Sequence, residues 1–198
     1  MLSLMRKEYE RFFLPLGTWC HRIGLSPNML TAMSILSGIG ACYVIYRQMW
    51  LTAILLILIS VLLDVADGST ARWLNQINPL GEVYDHLSDR YVEFLILLGI
   101  ALTDRVSGFW LLFTLFGMSM ASYIRAKAEA KDPEGNYRYG IAERQEKIFL
   151  IILGMALQRF FPVYPWLKIC IIINGVLSHL TVFQRLFVVR QREKILKK

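Results

Sequence analysis

The chain has 198 residues, 56% of them hydrophobic, with a mean hydropathy of +0.45. That apolar share exceeds the usual share of soluble domains, so an ordinary water-soluble globule is excluded and a membrane protein is indicated. The net charge of +7 gathers at the edges of apolar blocks, which argues against nucleic acid as a partner and for lipid headgroups.

Residues 1–24 begin with charges (Arg6, Lys7, Glu8, Glu10, Arg11) among Leu2, Leu4, Met5, Tyr9, Phe12 and Phe13. The pattern is too polar to span a bilayer and predicts an amphipathic interfacial helix, bent or ended near Pro15 and Gly17. No apolar core followed by a small-residue cleavage site is present, so no cleavable leader is expected.

Six apolar blocks follow, and residues 25–190 are expected to form one six-helix membrane domain. The first span opens at Ser26-Pro27, with Ser26 as N-cap and Pro27 at the first helical position, and runs to about residue 47. Its Ser34, Ser37, Gly38 and Gly40 should let neighbouring helices approach closely. The second span runs from Trp50 to about Leu74, the third from Pro79 to about Thr103, and the fourth over about 107–128. A polar loop, 130–139, leads to a fifth span from Gly140 to Phe161 and a sixth from Pro165 to Val189. Residues 191–198 form a basic tail. Each block holds about 20–25 residues, enough to cross about 30 Å of hydrocarbon. The fold class is therefore all-α and polytopic, with six transmembrane helices and an N-terminal interfacial helix.

Six spans put both termini on one side. Arg47, Arg105, Arg159 and Lys168 fall on the other side and Arg90 falls inside the third span, so the remaining 17 of the 22 Lys and Arg lie with the termini. The positive-inside rule places that side in the cytoplasm, and a cell (plasma) membrane location is expected.

Cys20, Cys42 and Cys170 fit no metal spacing and are expected to be packing residues without disulfides. His21, His86 and His179 are scattered. His86 points about 100° around a helix from Asp85, which favours a structural or interfacial role.

The chemistry concentrates in 64–89, DVADGSTARWLNQINPLGEVYDHLSD. Asp64 and Asp67 are i,i+3, and Asp85 and Asp89 are i,i+4, so each pair projects from one helix face. Carboxylates inside apolar sequence are costly and usually functional. Four of them repel unless cations sit between, and hard divalent ions prefer oxygen ligands. Two such ions suit phosphoryl transfer. Gly68, Ala71 and Gly81 clear the same faces, and Arg72 suits a bidentate phosphate contact.

Asp64-x-x-Asp67-Gly68-x-x-Ala71-Arg72, eight residues, then Gly81-x-x-x-Asp85-x-x-x-Asp89 resembles the signature of the CDP-alcohol phosphotransferases at all eight fixed positions. The resemblance implies a metal-dependent enzyme of phospholipid biosynthesis. It would transfer a phosphatidyl-type group from a CDP-linked lipid to an alcohol and release CMP. It implies two Mg²⁺ or Mn²⁺ ions on Asp64, Asp67, Asp85 and Asp89, with Asp89 also the general base. Gly68, Ala71, Arg72 and Gly81 would shape the CDP pocket. Pro27, Asn28 and Thr31 match a further family pattern, so Asn28 and Thr31 are expected at the nucleotide or in cap and packing roles. A homodimer is also implied.

The stretches SYIRAKAEA, GIAERQEK and TVFQR resemble the branch that makes phosphatidylinositol phosphate or its archaeal ether-lipid counterpart. That implies inositol phosphate as acceptor, its phosphate held by Ser122, Arg125, Lys127, Arg144 and Arg185. Lys127 and Lys147 stand where the branch usually shows Arg, losing the bidentate fork. Lipid-headgroup anchoring is the plain reading of any one of these cations alone. Open alternatives are the same chemistry with glycerol phosphate, serine or a second inositol phosphate (CDP-inositol donor), and a divalent-cation transporter using the same carboxylates.

Overall fold

A computed structural model describes residues 15–74, 79–133, 135–137 and 140–196. Among them there is helix and no strand. After a helical stretch over 15–22 come α1 (Pro27–Tyr46), α2 (Trp50–Trp73), α3 (Pro79–Ala101), α4 (Gly108–Lys131), α5 (Arg144–Phe160) and α6 (Trp166–Leu196). Four of these, α1, α2, α4 and α6, are long and apolar enough to cross a membrane. α3 carries Asp85, Asp89, Arg90 and Glu93 within its length, and α5 has 17 residues, about 25 Å of helix.

The chain divides between Gly99 and Ile100 into two compact units. In the first, α1 and α2 pair through small polar residues. Ser34 and Ser60 hydroxyls lie 2.9 Å apart, each bonding also to the other's carbonyl, and Ser37 Oγ donates to Leu56 O at 2.8 Å. Such bonds hold helices together where lipid offers no alternative partner. Gly38 faces Val92 of α3, and a Cβ at Gly99 would lie 2.8 Å from Cys42 O. The close approach expected of Ser34, Ser37, Gly38 and Gly40 is thus observed, with Gly40 against Leu56. Ser26 caps α1, its Oγ accepting from Met29 N at 3.3 Å, with Pro27 opening the helix.

One local expectation is corrected. Gly17 lies inside the helical stretch 15–22 and does not end it. Its missing side chain serves packing: a Cβ would stand 2.7 Å from the backbone carbon of Ser69. Residues 1–14 lie outside the described residues, so most of the expected interfacial helix does too. Cys20, Leu30 and Ala66 form the small core where this stretch meets α1 and α2.

In the second unit α4, α5 and α6 pack by the same device. Gly117 admits His179, Gly175 admits Thr114 and Gly154 admits Cys170. Thr114 Oγ1 donates to Ile171 O at 3.0 Å, and His179 Nε2 pairs with Phe113 O at 3.1 Å. His179 therefore has a structural place, and all three cysteines are free, as expected. α5 begins with a capping box, Glu143 N donating to Glu146 Oε2 at 3.0 Å. α6 runs on through 191–196, part of the stretch expected as a tail, because Gln191-Arg192-Glu193-Lys194 contains good helix formers and no Gly or Pro to stop it.

Candidate active site

The site grows from the facing ends of α2 and α3. Asp64 on α2 and Asp85 and Asp89 on α3 each offer one carboxylate oxygen, and these oxygens lie within 4.8 Å of one another. Ligand oxygens about 2.0–2.6 Å from a hard cation stand at most about 4–5 Å apart, so this donor set fits a divalent ion. Asp89 is buried and Asp64 and Asp85 are half-buried.

Asp67, one turn beyond Asp64, is buried and stands outside this set of three oxygens. Its Oδ2 accepts a 2.6 Å hydrogen bond from Thr31 Oγ1, which also bonds Pro27 O at 3.0 Å. Thr31 therefore links the start of α1 to the acidic face of α2. Behind that face, Thr70 Oγ1 bonds Ala66 O at 2.7 Å and Gly17 O at 3.5 Å, fastening the stretch 15–22 to the motif helix.

Arg72 folds back along α2. Its Nη2 donates to Ser69 Oγ at 3.3 Å, and a Cβ at Gly68 would be 3.5 Å from Nη1. The guanidinium thus lies alongside the bare backbone of Gly68. Ala71 and Gly81 are half-buried, and Asn28 is exposed in the first turn of α1.

Reading from sequence missed a neighbour of Asp89. Arg90 Nη1 lies 2.6 Å from Glu93 Oε2, and Arg90 Nη2 lies 4.0 Å from Asp89 Oδ2. Glu93 is only 2% exposed. The signal was available: an Arg and a Glu three positions apart in an apolar run are neighbours on a helix.

The second unit carries the remaining candidates. Arg185 is buried on α6 and donates from Nη1 to Ala121 O on α4, next to Ser122. Ser122 Oγ bonds Met118 O at 3.3 Å. Arg125 Nε pairs with Glu129 at 2.9 Å, one turn on. Lys127 is exposed, its ammonium 5.7 Å from the Tyr123 ring centre. Arg144 is half-buried at the start of α5. Lys147 is buried one turn later, and Asn174 Nδ2 bonds its carbonyl at 3.1 Å.

The family model for CDP-alcohol phosphatidyltransferases matches residues 24–173, which contain the whole acidic cluster. The chain belongs to the CDP-alcohol phosphatidyltransferase family. It is similar to the archaetidylinositol phosphate synthase of Pyrococcus horikoshii, 31% identical over 192 residues covering 97% of this chain and 98% of the relative. The phosphatidylinositol phosphate synthase of Mycobacterium tuberculosis is 27% identical over 196 residues, 94% of this chain and 89% of that protein. The crystal structure of the Mycobacterium tuberculosis enzyme with CDP-DAG bound superposes with a TM-score of 0.75 at 26% identity, covering 90% of this chain and 94% of that one. Membership makes this chain an enzyme, a CDP-alcohol phosphotransferase of phospholipid biosynthesis. With its apolar helices, it is an integral membrane protein.

Proposed function

We propose that this enzyme transfers a phosphatidyl-type group from a CDP-linked lipid to a hydroxyl of inositol phosphate and releases CMP. The observation that carries this reading is the set of three carboxylate oxygens within 4.8 Å on two neighbouring helices, inside the family signature. The acceptor follows the names of the relatives, both inositol phosphate-type synthases that match along nearly the whole chain. A CDP-lipid donor follows the CDP-DAG bound by the Mycobacterium tuberculosis enzyme.

Asp64, Asp67, Asp85 and Asp89 hold two divalent cations, Mg²⁺ or Mn²⁺. When bound, the ions grip the donor's diphosphate and offset the charge that develops on the departing CMP. Thr31 keeps the Asp67 carboxylate in place through its hydroxyl. Gly68, Ala71, Gly81 and Asn28 shape the nucleotide pocket, and Arg72 binds donor phosphate. Asp89 accepts the proton of the acceptor hydroxyl. The freed oxygen bonds to the lipid-bearing phosphorus as the phosphorus–CMP bond breaks. Ser122, Arg125, Lys127, Arg144 and Arg185 hold the acceptor's phosphate, whose charge makes guanidinium groups the fitting partners.

All six helices span the bilayer in this reading, with α3 crossing despite its charges because they serve the site. The charge asymmetry of the loops supports a cytoplasmic side for both termini and the reaction, and the plasma membrane is the membrane of this reading. The family resemblance supports a homodimer.

The test is incubation of the purified protein with a CDP-lipid, Mg²⁺ or Mn²⁺, and a panel of inositol phosphate, glycerol phosphate and serine, scored by CMP release. Inositol phosphate should support release and the others should not. Release with serine alone would overturn the acceptor assignment.

A further inference from the structure

The loop between α4 and α5 makes a set of contacts with α6 that the reaction above does not use. Asp132 is the C-cap of α4, where its carboxylate meets the negative end of the helix dipole. That is a locally poor choice, and two partners offset it. Arg192 Nε donates to Asp132 Oδ2 at 2.9 Å, and the hydroxyl of buried Tyr137 donates to the same oxygen at 2.8 Å. Gly135 makes the arrangement possible, since a Cβ there would collide with the Tyr137 ring and stand 2.8 Å from Asp132 Oδ2. Burial and the neighbouring Asp132 push the Tyr137 phenol up, so it stays protonated and remains a donor.

Two more ties lie towards α5. Ile141 N donates to Gln184 Oε1 at 2.9 Å, and Ala142 N donates to Thr181 Oγ1 at 3.4 Å. Gly140 packs directly on the Thr181 side chain, with no room for a Cβ. The loop is therefore fastened to α6 at 181, 184 and 192, on both sides of Arg185. Its two ends are the helix ends that carry Arg125 and Arg144. Cations gathered for one phosphate repel each other before it arrives, and helix ends joined only by a slack loop would drift apart. A fixed spacing lowers the ordering cost of binding.

We propose that Asp132, Tyr137 and Arg192 are positioning residues for the acceptor: they strap the α4–α5 loop to α6 and so set the spacing of Arg125, Arg144 and Arg185. This rests on the reading that those arginines hold the acceptor's phosphate. The strap touches neither substrate, so it acts on acceptor affinity and leaves the donor alone.

The test measures KM for inositol phosphate and for the CDP-lipid separately, with kcat, on the purified full chain. Arg192→Gln and Asp132→Asn should each raise KM for inositol phosphate about tenfold, a loss of about 1.4 kcal/mol of acceptor binding. Neither should move kcat or the donor KM by more than about twofold, because contacts remote from the chemistry alter uniform binding of one substrate. Exchanging the pair, Asp132→Arg with Arg192→Asp, should restore acceptor KM in part, because the charge pair is rebuilt but Tyr137 loses its acceptor. Tyr137→Phe removes one hydroxyl and should give a smaller rise of the same kind, which keeps the test available if the charge variants fold poorly. An unchanged acceptor KM in these variants, while Arg144→Ala raises it, would overturn the strap and leave the acceptor reading standing. A parallel rise in donor KM would also overturn it. If Arg144→Ala and Arg185→Ala leave inositol phosphate KM unchanged, the acceptor reading fails instead, and the same split is read with the acceptor that the panel selects.

Discussion

Thr31 Oγ1 donates to Asp67 Oδ2 across 2.6 Å, joining residues 36 positions apart on α1 and α2. A hydroxyl bond to a carboxylate is charge-assisted and directional, so it selects one orientation of the acid. It also explains why a hydroxyl side chain stands at this point of α1.

Thr31→Val keeps the shape and removes the bond. A hydrogen bond to a charged group is worth about 1.5–3 kcal/mol, so kcat/KM should fall roughly ten- to a hundredfold. Thr31→Ser should retain most activity. The measurement is CMP release against CDP-lipid concentration, and equal rates for the Val variant and the parent would show that Asp67 is placed by other means.

Asp89→Asn should abolish CMP release while leaving the protein folded. The amide is nearly isosteric but cannot take the proton and brings no negative charge to hold a cation. Removing divalent ions with a chelator should stop the parent enzyme too, with Mg²⁺ or Mn²⁺ restoring it and monovalent salt failing to do so. Near-normal turnover by the Asn variant would rule out Asp89 as base.

Gly17→Leu should loosen the site from behind. A Cβ at this position already stands 2.7 Å from Ser69 backbone, so the helical stretch 15–22 must move off α2 to admit a larger group. Overpacking of this kind costs about 1–3 kcal/mol and should show as a lower melting temperature and weaker donor use. Leu at exposed Gly24, with φ of +82°, would instead strain the turn without touching α2.

Much of this site is legible in the sequence, because metal chemistry ties residue type to spacing. Asp64, Asp85 and Asp89 gather as their helical intervals require, and the Ser26-Pro27 start of α1 is read from two adjacent residues. Gly17 misleads for a physical reason: a glycine that ends a helix and one that lets two backbones touch look identical in one dimension. The Thr31–Asp67 bond, the Arg185–Ala121 bond and the Asp132–Arg192 pair join distant positions, and no local periodicity encodes them. Resemblance pointed to Thr31 as a nucleotide contact; the structure adds the carboxylate it holds.

Arg90 and Glu93 supply the last prediction. The pair lies at 2.6 Å beside Asp89, and Glu93 is almost wholly buried. A buried ion pair contributes little net stability, but removing one partner leaves the other charge stranded at a cost of roughly 3–5 kcal/mol. Arg90→Met alone should therefore destabilise the protein strongly, because the charge it strands is the buried Glu93, whereas the Arg90 side chain is 30% exposed. Arg90→Met combined with Glu93→Leu should recover much of that loss in a thermal melt, since neither charge is then left alone. Activity separates the roles: if the double variant is stable yet slow, Arg90 also steadies Asp89, which its Nη2 approaches to 4.0 Å. A double variant that is both stable and fully active would confine the pair to structure.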